Sequence, residues 1–419
     1  MTAPAVIRMP QLSTHTCSNG LTITASALPT VPLVQGHLAV RLPLHDRQDL
    51  AVYDVLAACW PDLPACARFE QLGGQVSINR RQQWIVLSLV GTADLMPAIA
   101  VTLRAAVDAQ YTEDQVRAAV TKAAQQASLV TAHPAVYSAR RLWEQFYGYL
   151  PPVADPSPHP DDIATVSAAQ VTEAGARCLL PSQSHVVVVG ATDPDQVVAH
   201  FEQALASWTG TCHSAPQATP SLSPAPQRRI VTHVREGWQQ THLRLAAPSR
   251  PRHDHALFAA AQAASLILGG SFSSRINTAL RERHGLAYRT LASINDHLDS
   301  DVLIVEADVN AVSAAEAMTE LTRQMTEFAT SGPTGHELDE AIGFITGKYA
   351  LSLDSQGGIA TCVLSYLTLG LPLSGIADIP ARVAALTLTD VREAAALFHP
   401  EHMSGVVCGD ATHLPTEWS

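Results

Sequence analysis

The feature of this sequence that most restricts its fold is an internal repeat. The segment TEDQVRAAVTKAAQQASL, which begins at Thr112, is matched by TGHELDEAIGFITGKYALSL, which begins at Thr334. A second pair sets VTEAGARCLLPSQSHVVVVGAT from Val171 beside VREAAALFHPEHMSGVVCGDAT from Val391. Similarity of this kind, in the same order in both halves, indicates a duplicated structural unit. We therefore expect two copies of one domain.

Each copy combines long amphipathic helices with apolar strands. In the second pair, a helix is followed by a Pro turn and by a strand that ends at Gly. The strand QWIVLSLVG and its following helix correspond to DVLIVEADVN and a helix that opens with Ser313 and Glu316, in capping-box form. No dinucleotide-binding fingerprint opens a βαβ unit, which disfavours a doubly wound parallel sheet. The pattern predicts an α+β fold, in which each domain is a mainly antiparallel sheet with helices packed on one face.

A proline-rich segment divides the two copies. SAPQATPSLSPAP, from Ser214 to Pro226, contains four prolines and no charged residue, a composition typical of an extended spacer. The full length of 419 residues also exceeds what a single hydrophobic core usually supports. We predict an N-terminal domain at 1–210, a linker at 211–228 and a C-terminal domain at 229–419.

Charge and cysteine content exclude several classes of protein. The formal net charge is -12, with no block of Lys or Arg to neutralise a phosphate backbone, so nucleic acid is not an expected partner. No apolar run resembles a signal peptide or a membrane span, so we expect a cytoplasmic protein without a membrane partner. The seven cysteines form no Cys-x-x-Cys motif, which favours reduced thiols.

The segment from Trp238 to Thr290 carries a specific resemblance. It contains, in this order, the strand QQTHLRLAAP, Leu268-Gly269-Gly270, Ser273-Ser274-Arg275, Leu280-Arg281-Glu282 and Gly285-Leu286-Ala287-Tyr288. In order and spacing, these elements resemble the insulinase/pitrilysin family of zinc peptidases, and weaker similarity extends over nearly the whole chain. The resemblance implies the fold of mitochondrial processing peptidase, with two homologous domains in a clamshell arrangement.

The resemblance assigns a role to Arg281 and Tyr288. In the family, the corresponding residues reach a peptide at a zinc ion held by another domain. An Arg can donate charge-assisted hydrogen bonds to peptide carbonyls, and a phenol can donate to the oxygen that gains charge. Taken alone, Arg281 would most often be a solvated helix residue and Tyr288 a half-buried aromatic. Gly269 and Gly270 lack the following Lys-Ser/Thr of a phosphate-binding loop and are interpreted as a helix C-terminal stop.

The zinc motif of the family is absent. Active members carry His-x-x-Glu-His, in which two His bind zinc and Glu is the general base. The corresponding stretch, LAVYDVLAACWPDLP from Leu50, contains neither His nor Glu, and no Asp or Glu lies between Asp114 and Glu144, where the third ligand belongs. Three histidine-containing motifs of the C-terminal half lack the motif's spacing: His253-Asp-His255, His336-Glu337 and His399-Pro-Glu-His402. We expect no metal ligands and no cofactor in this chain.

These observations predict one half of a catalytic site. Two-chain bacterial members of the family place zinc in one chain and the Arg/Tyr pair in the other. We therefore expect a heterodimer in which a homologous partner holds zinc and this chain supplies Arg281 and Tyr288. The expected substrates are short or unfolded peptides, and leader peptides of modified natural products are one possible source. Two alternatives stay open: an inert scaffold subunit of a larger complex, and zinc binding by this chain through unrecognised ligands.

Overall fold

The structure, a computed structural model, describes residues 11–210, 223–224, 229–297, 300–412 and 414. The linker predicted at 211–228 lies outside the described residues, apart from 223–224. The predicted domain boundaries therefore stay a prediction. None of the described helices combines the length and the apolar character that crossing a membrane requires.

Strands and helices alternate through the first half of the chain. In order, they are β1 (Leu12–Thr16), β2 (Thr22–Ala27), β3 (Leu33–Arg41), α1 (Arg47–Cys59), α2 (Pro64–Gln71), β4 (Gln75–Arg81), β5 (Trp84–Thr92), α3 (Met96–Val107), α4 (Glu113–Ala132), α5 (Pro134–Tyr147), α6 (Pro160–Ala164), α7 (Ala168–Cys178), β6 (Ser184–Gly190) and α8 (Pro194–Leu205).

The second half repeats this alternation. It contains β7 (Ile230–Val234), β8 (Gln240–Pro248), α9 (His255–Ser265), β9 (Ala287–His297), β10 (Ser300–Asn310), α10 (Ala314–Ser331), α11 (Gly335–Leu353), α12 (Gln356–Thr368), α13 (Ser374–Ala377), α14 (Ile379–Ala384), α15 (Leu388–Ala395) and β11 (Ser404–Gly409). Two π-helical segments, Leu266–Gly270 and Asn277–Arg283, lie between α9 and β9.

The two sheets have the same topology, which confirms the repeat. The first runs β1-β2-β6-β3-β5-β4, and the second runs β7-β11-β8-β10-β9. The order β2-β6-β3-β5-β4 thus matches β7-β11-β8-β10-β9 strand for strand. Each sheet is antiparallel except for one parallel pair, β2 with β6 and β7 with β11. The predicted α+β class with two antiparallel-rich sheets is confirmed.

Equivalent helices of the two halves begin with equivalent side-chain hydrogen bonds. α7 and α15 each open with a capping box, formed by Ser167 with Gln170 and by Thr387 with Asp390. These reciprocal bonds satisfy backbone N–H groups that a helix start leaves free. The capping box expected at Ser313 is wrong, because α10 follows Ser313 without a capping hydrogen bond from its side chain.

The chain forms two compact units, and each contains a segment from the other half of the sequence. Unit 1 comprises the described residues of Met1–Val130, Ser157–Ala218 and Tyr349–Asp378. Unit 2 comprises the described residues of Thr131–Pro156, Thr219–Lys348 and Ile379–Ser419. In unit 1, α12 packs on β6 and β3, and in unit 2, α5 packs on β11 and β8. Because these strands are equivalent in the repeat, the two units carry the same helix-on-sheet arrangement.

The exchanged helix α12 covers an apolar face of the first sheet. Ile359 and Val363 pack in one buried cluster with Val187 and Val189 of β6. Gln356, in the first turn of α12, is buried, and its Nε2 donates to three backbone carbonyls of the segment between β2 and β3. The buried amide and the apolar face together fix α12 on its sheet.

Candidate functional site

Arg281 lies near the end of the π-helical segment Asn277–Arg283 and is exposed to solvent. Its guanidinium carbon lies 5.4 Å from the centre of the Phe272 ring, within the range of a cation–π interaction. The Phe272 side chain is itself 69% exposed. Among the residues that the structure describes, the Arg281 guanidinium has no ion-pair or hydrogen-bond partner. Its donors are therefore oriented by an aromatic ring and stay available to a ligand.

The turn after Arg281 is fixed by backbone hydrogen bonds and buried leucines. The N–H of Gly285 donates to the Arg281 carbonyl at 3.2 Å, and the N–H of Leu286 donates to the Leu280 carbonyl at 2.7 Å. Gly285 has φ +63°, in the left-handed region that glycine occupies at little cost. Leu280 and Leu286 are buried on either side of the turn. The path from Arg281 to β9 is thus defined by the fold.

Tyr288 lies in a β-bulge at the start of β9. Arg289 pairs with Asp308 of β10, whereas Ala287 pairs with Val309, so Tyr288 is an extra residue on its strand. A bulge bends the strand locally and redirects a side chain, and bulges are enriched beside functional sites. The Tyr288 side chain is 63% exposed. Its hydroxyl has no hydrogen-bond partner within the described part of the chain.

The loop that carries Phe272 is held at both ends. The Arg275 guanidinium donates to both Glu337 carboxylate oxygens of α11, at 2.6 and 2.8 Å, and Arg275 also donates to the Gly332 carbonyl. Asn277 donates through its side chain to the Phe272 carbonyl. Burial acts to raise the pKa of Glu337, but hydrogen bonds from Arg275 and Thr334 lower it below its usual value. This salt bridge fixes the loop against α11.

A partly buried charge network supports β9, the strand that carries Tyr288. Arg289 bonds to Glu306 of β10 at 2.7 Å, while Arg244 of β8, which is 1% exposed, bonds to Asp308 at 2.6 Å. His242 Nδ1 lies 2.6 Å from the same Asp308 oxygen. Burial would raise the pKa of Asp308, but the hydrogen bond from His242 and the Arg244 guanidinium hold it well below its usual range. Cross-strand charges thus tie β9 to β10 and β8 beside the bulge.

Comparison with known proteins supports the resemblance that the sequence motifs indicate. Residues 165–343 match the family model described as "Peptidase M16 inactive domain". The structure superposes on a protease from Helicobacter pylori with a TM-score of 0.88 and 17% identity, covering 96% of this chain and 100% of the other. The chain thus resembles the insulinase/pitrilysin (M16) peptidase family, and the match covers its residues 165–343.

Two curated relatives are similar in sequence over part of their length. A protein of Streptomyces coelicolor named "Uncharacterized zinc protease" is 28% identical over 225 residues, covering 51% of this chain and 47% of the relative. The "Non-peptidase homolog YmxG" of H. pylori is 24% identical over 159 residues, covering 37% and 36%. The matched stretches thus span less than half the length of either relative. The chain is therefore similar both to a protein named a zinc protease and to one named a non-peptidase homolog.

The M16 metal motif does not fit the helix where it belongs. In α1, Val52, Val55 and Leu56 are buried in the core. The positions that face a neighbouring cleft are 54, 57 and 58, which have the i, i+3, i+4 spacing of His-x-x-Glu-His. Those positions hold Asp54 and two alanines, and Asp54 forms an ion pair with Arg80 of β4. The helix therefore offers neither the two imidazoles nor the general base.

In the same cleft, α4 supplies no third ligand, although Asp62 and Glu70 also line it. It has a volume of about 470 Å³ and is lined by α1, α2 and β4 together with Lys122 of α4. Lys122 is the residue that α4 directs to the cleft, in the region where M16 enzymes carry their third ligand, and an ammonium group cannot bind a metal cation. The side chains present in this chain do not support zinc at the M16 site.

The sequence motifs predict Arg281 and Tyr288 but not Phe272. Phe272 lies between Leu268-Gly269-Gly270 and Ser273-Ser274-Arg275, and its sequence signal is a large aromatic between a Gly pair and Ser residues. The Gly pair predicts a helix stop, and the helical segment does end at Gly270. The physical reason differs, since a Cβ at Gly269 would lie 2.7 Å from the Ala292 nitrogen. Gly269 thus permits close packing on β9.

Proposed function

We propose that this chain is the subunit of a heterodimeric M16 metallopeptidase that lacks the catalytic zinc site. In this complex a homologous partner would hold zinc through His-x-x-Glu-His, and this chain would supply Arg281 and Tyr288 in trans. The observation that carries the proposal is the exposed Arg281/Tyr288 pair, built on fixed backbone and without polar partners in the described part of its own chain. A peptide at the partner's site could supply those partners.

Arg281 and Tyr288 would act on different atoms of the peptide. The Arg281 guanidinium has several N–H donors and would hold substrate carbonyls by charge-assisted hydrogen bonds. The Tyr288 hydroxyl would donate to the carbonyl oxygen as it becomes negatively charged during attack by water. The partner's zinc would supply the activated water. Phe272 would keep the Arg281 side chain extended over its ring.

The sheet edges support a proposal for the class of substrate. β4 is an edge strand of its sheet, and exposure alternates along it. An extended peptide can add to such an edge through main-chain hydrogen bonds, which demand little of its sequence. We propose short or unfolded peptides as substrates, with leader peptides of modified natural products as one possible source. We also propose the cytoplasm as the compartment, because the six described cysteines are free thiols.

The test is the Tyr288→Phe variant, assayed on peptide together with the zinc-bearing partner. We expect the variant to assemble normally and kcat to fall by about 100- to 1,000-fold, the usual effect of removing one oxyanion donor. Tyr149→Phe is the matched control, since Tyr149 is 54% exposed and lies outside the site. Arg281→Ala should slow the reaction as well. Wild-type rates for both site variants would refute the trans role.

An inert scaffold role is the second candidate. The description "inactive domain" of the matching family model favours it. A scaffold subunit would keep the complex assembled, but peptide cleavage would not respond to Tyr288→Phe or Arg281→Ala. Activity measured on complexes of equal stoichiometry therefore separates the two candidates.

A further inference from the structure

A second group of chemically reactive side chains belongs to unit 1, whereas the Arg281/Tyr288 pair belongs to unit 2. His15 belongs to β1, Cys17 follows the same strand, and Glu202 belongs to α8. One ligand atom of each residue lies within 4.8 Å of the corresponding atoms of the other two. Across the described ranges this is the one such group of three or more His, Cys, Asp or Glu residues.

The side chains of His15, in β1, and Cys17, directly after β1, face the same side of the chain. In extended backbone, residues i and i+2 project from one face of the strand, so His15 and Cys17 point the same way. His15 Nε2 is a buried atom without a hydrogen-bond partner, and it lies 3.6 Å from a Glu202 carboxylate oxygen. That separation is too long for a hydrogen bond. A buried nitrogen therefore lies unbonded beside a thiol and a carboxylate.

The backbone around the group is fixed. Asn19 Nδ2 donates to the carbonyls of Leu205 and Trp208, both at 3.0 Å, and so ties the turn after β1 to the end of α8. Gly20 completes this turn at φ +88°. On α8, Phe201 is fully buried next to Glu202, which anchors the helix on its sheet. The three ligand atoms are thus brought together by the fold, with side-chain torsions free to adjust.

We propose that His15, Cys17 and Glu202 form a binding site for a zinc ion. Imidazole nitrogen, thiolate sulfur and carboxylate oxygen are the three protein ligands that zinc accepts, at about 2.0 to 2.3 Å. At those distances the three ligand atoms must lie somewhat closer together than they do here. Small rotations of the His15 and Glu202 side chains, which are both partly exposed, would bring them to that spacing. The fourth tetrahedral position stays open for water.

The donor types also discriminate between metal ions, since a thiolate and an imidazole suit zinc. Hard cations such as Mg²⁺ and Ca²⁺ prefer all-oxygen sites and do not suit this set.

The position of the site indicates what the ion does. β1 and α8 have no counterpart in the described part of unit 2, so the repeat alone does not hold them in place. A bound ion would join an edge strand to a helix and resist separation of the two. We therefore assign the site a structural role. It shares no residue with the cleft beside α1 and is independent of the proposed function.

The experiment measures zinc and cobalt binding by the full-length chain after chelator treatment. We expect one Zn²⁺ per chain, a higher Tm in its presence, and with Co²⁺ a near-ultraviolet sulfur-to-metal charge-transfer band that reports Cys17. His15→Ala, Cys17→Ser and Glu202→Gln should each weaken binding by roughly 10-fold or more. Cys362→Ser and His200→Ala, which alter a thiol and an imidazole of unit 1 outside the group, should bind as the wild type does.

Two results would overturn the site. One is a wild-type chain that takes up no stoichiometric zinc, and the other is unchanged affinity in the three ligand variants, which would indicate adventitious binding. Circular dichroism checks that each variant is folded. If Cys17→Ser fails to fold, Glu202→Gln decides the question, because Glu202 is 43% exposed. Peptide cleavage is not measured, so the outcome does not depend on the proposed function.

Discussion

Backbone conformation at two residues determines where the Arg281 and Tyr288 side chains point. Gly285 adopts φ +63°, and Tyr288 is the extra residue of a β-bulge. A residue with a Cβ is strained at positive φ, and a strand without the bulge would place Tyr288 in ordinary register with β10. The site thus depends on Gly285, although this residue has no side chain with which to contact a ligand.

Gly285→Ala should therefore weaken both folding and the site. We expect the free energy of unfolding to fall by about 1 to 2 kcal/mol, because alanine disfavours the left-handed region, while open space around Gly285 rules out a steric clash. Urea denaturation measures the loss. Gly343→Ala is the control, since Gly343 lies exposed inside α11 and alanine should stabilise that helix by about 0.5 to 1 kcal/mol. Equal effects of the two changes would contradict the conformational argument.

The residues of the site were predictable from sequence only in part. The motifs around Arg281 and Tyr288 located both residues, because family spacing is a property of the sequence. The ring of Phe272 under Arg281 and the bulge at Tyr288 depend on how a loop and two strands meet in space. The buried Arg244 is similar, because its charge inside an apolar strand is tolerated only where carboxylates lie beside it on β10. Glu306 lies opposite Arg244, and Asp308, two residues further along β10, bonds to its guanidinium.

At the scale of elements, a salt bridge connects the Phe272 loop to a helix. Arg275 binds both oxygens of Glu337, and Glu337 also accepts a hydrogen bond from the Thr334 N–H at the start of α11. One carboxylate therefore caps a helix and holds a loop. The equivalent start of α4 has Gln115 in this position, which caps its helix without a charge. The salt bridge is thus a feature of the second repeat that the sequence similarity did not reveal.

The lowered pKa of Glu337 predicts a pH-dependent contribution to stability. The carboxylate is favoured in the folded state, so its contribution is complete above the unfolded pKa of about 4.3 and is lost as pH falls through the lower folded value. Glu337→Gln should cost about 2 kcal/mol at neutral pH and progressively less in acid. Denaturant unfolding over a pH series measures the difference from wild type.

A second carboxylate of α11 provides the control for this series. Glu340 is 58% exposed and pairs with His336 at 3.4 Å. An exposed pair of this kind contributes little, so Glu340→Gln should change stability by less than about 0.5 kcal/mol at every pH. If Glu337→Gln lowers the free energy of unfolding by the same amount at acidic and at neutral pH, the ionised carboxylate is not the cause. A hydrogen bond between neutral groups would then explain the loss.

At the scale of the whole molecule, the duplication and the exchange of helices are separate findings. The duplication was predictable because paired segments resemble each other in sequence. The exchange was not, because α5 and α12 show the same helical pattern whichever sheet they cover. Burial identifies the partners: Ile359 and Val363 of α12 share a cluster with Val187 and Val189 of β6. Each compact unit is therefore completed by a segment distant in sequence.

The exchange predicts that a change in the second half of the sequence will loosen the sheet of the first. Ile359→Ala removes fully buried methyl groups against β6 and should cost about 2 to 5 kcal/mol. Local opening should then increase in β3 and β6 while β8 and β10 stay protected, as hydrogen exchange with mass spectrometry would show. Val391→Ala in α15, equally buried but part of unit 2, should have the opposite distribution. If Ile359→Ala instead loosened β8 and β10, α12 would belong to the sheet of its own half, and the exchanged arrangement would be wrong.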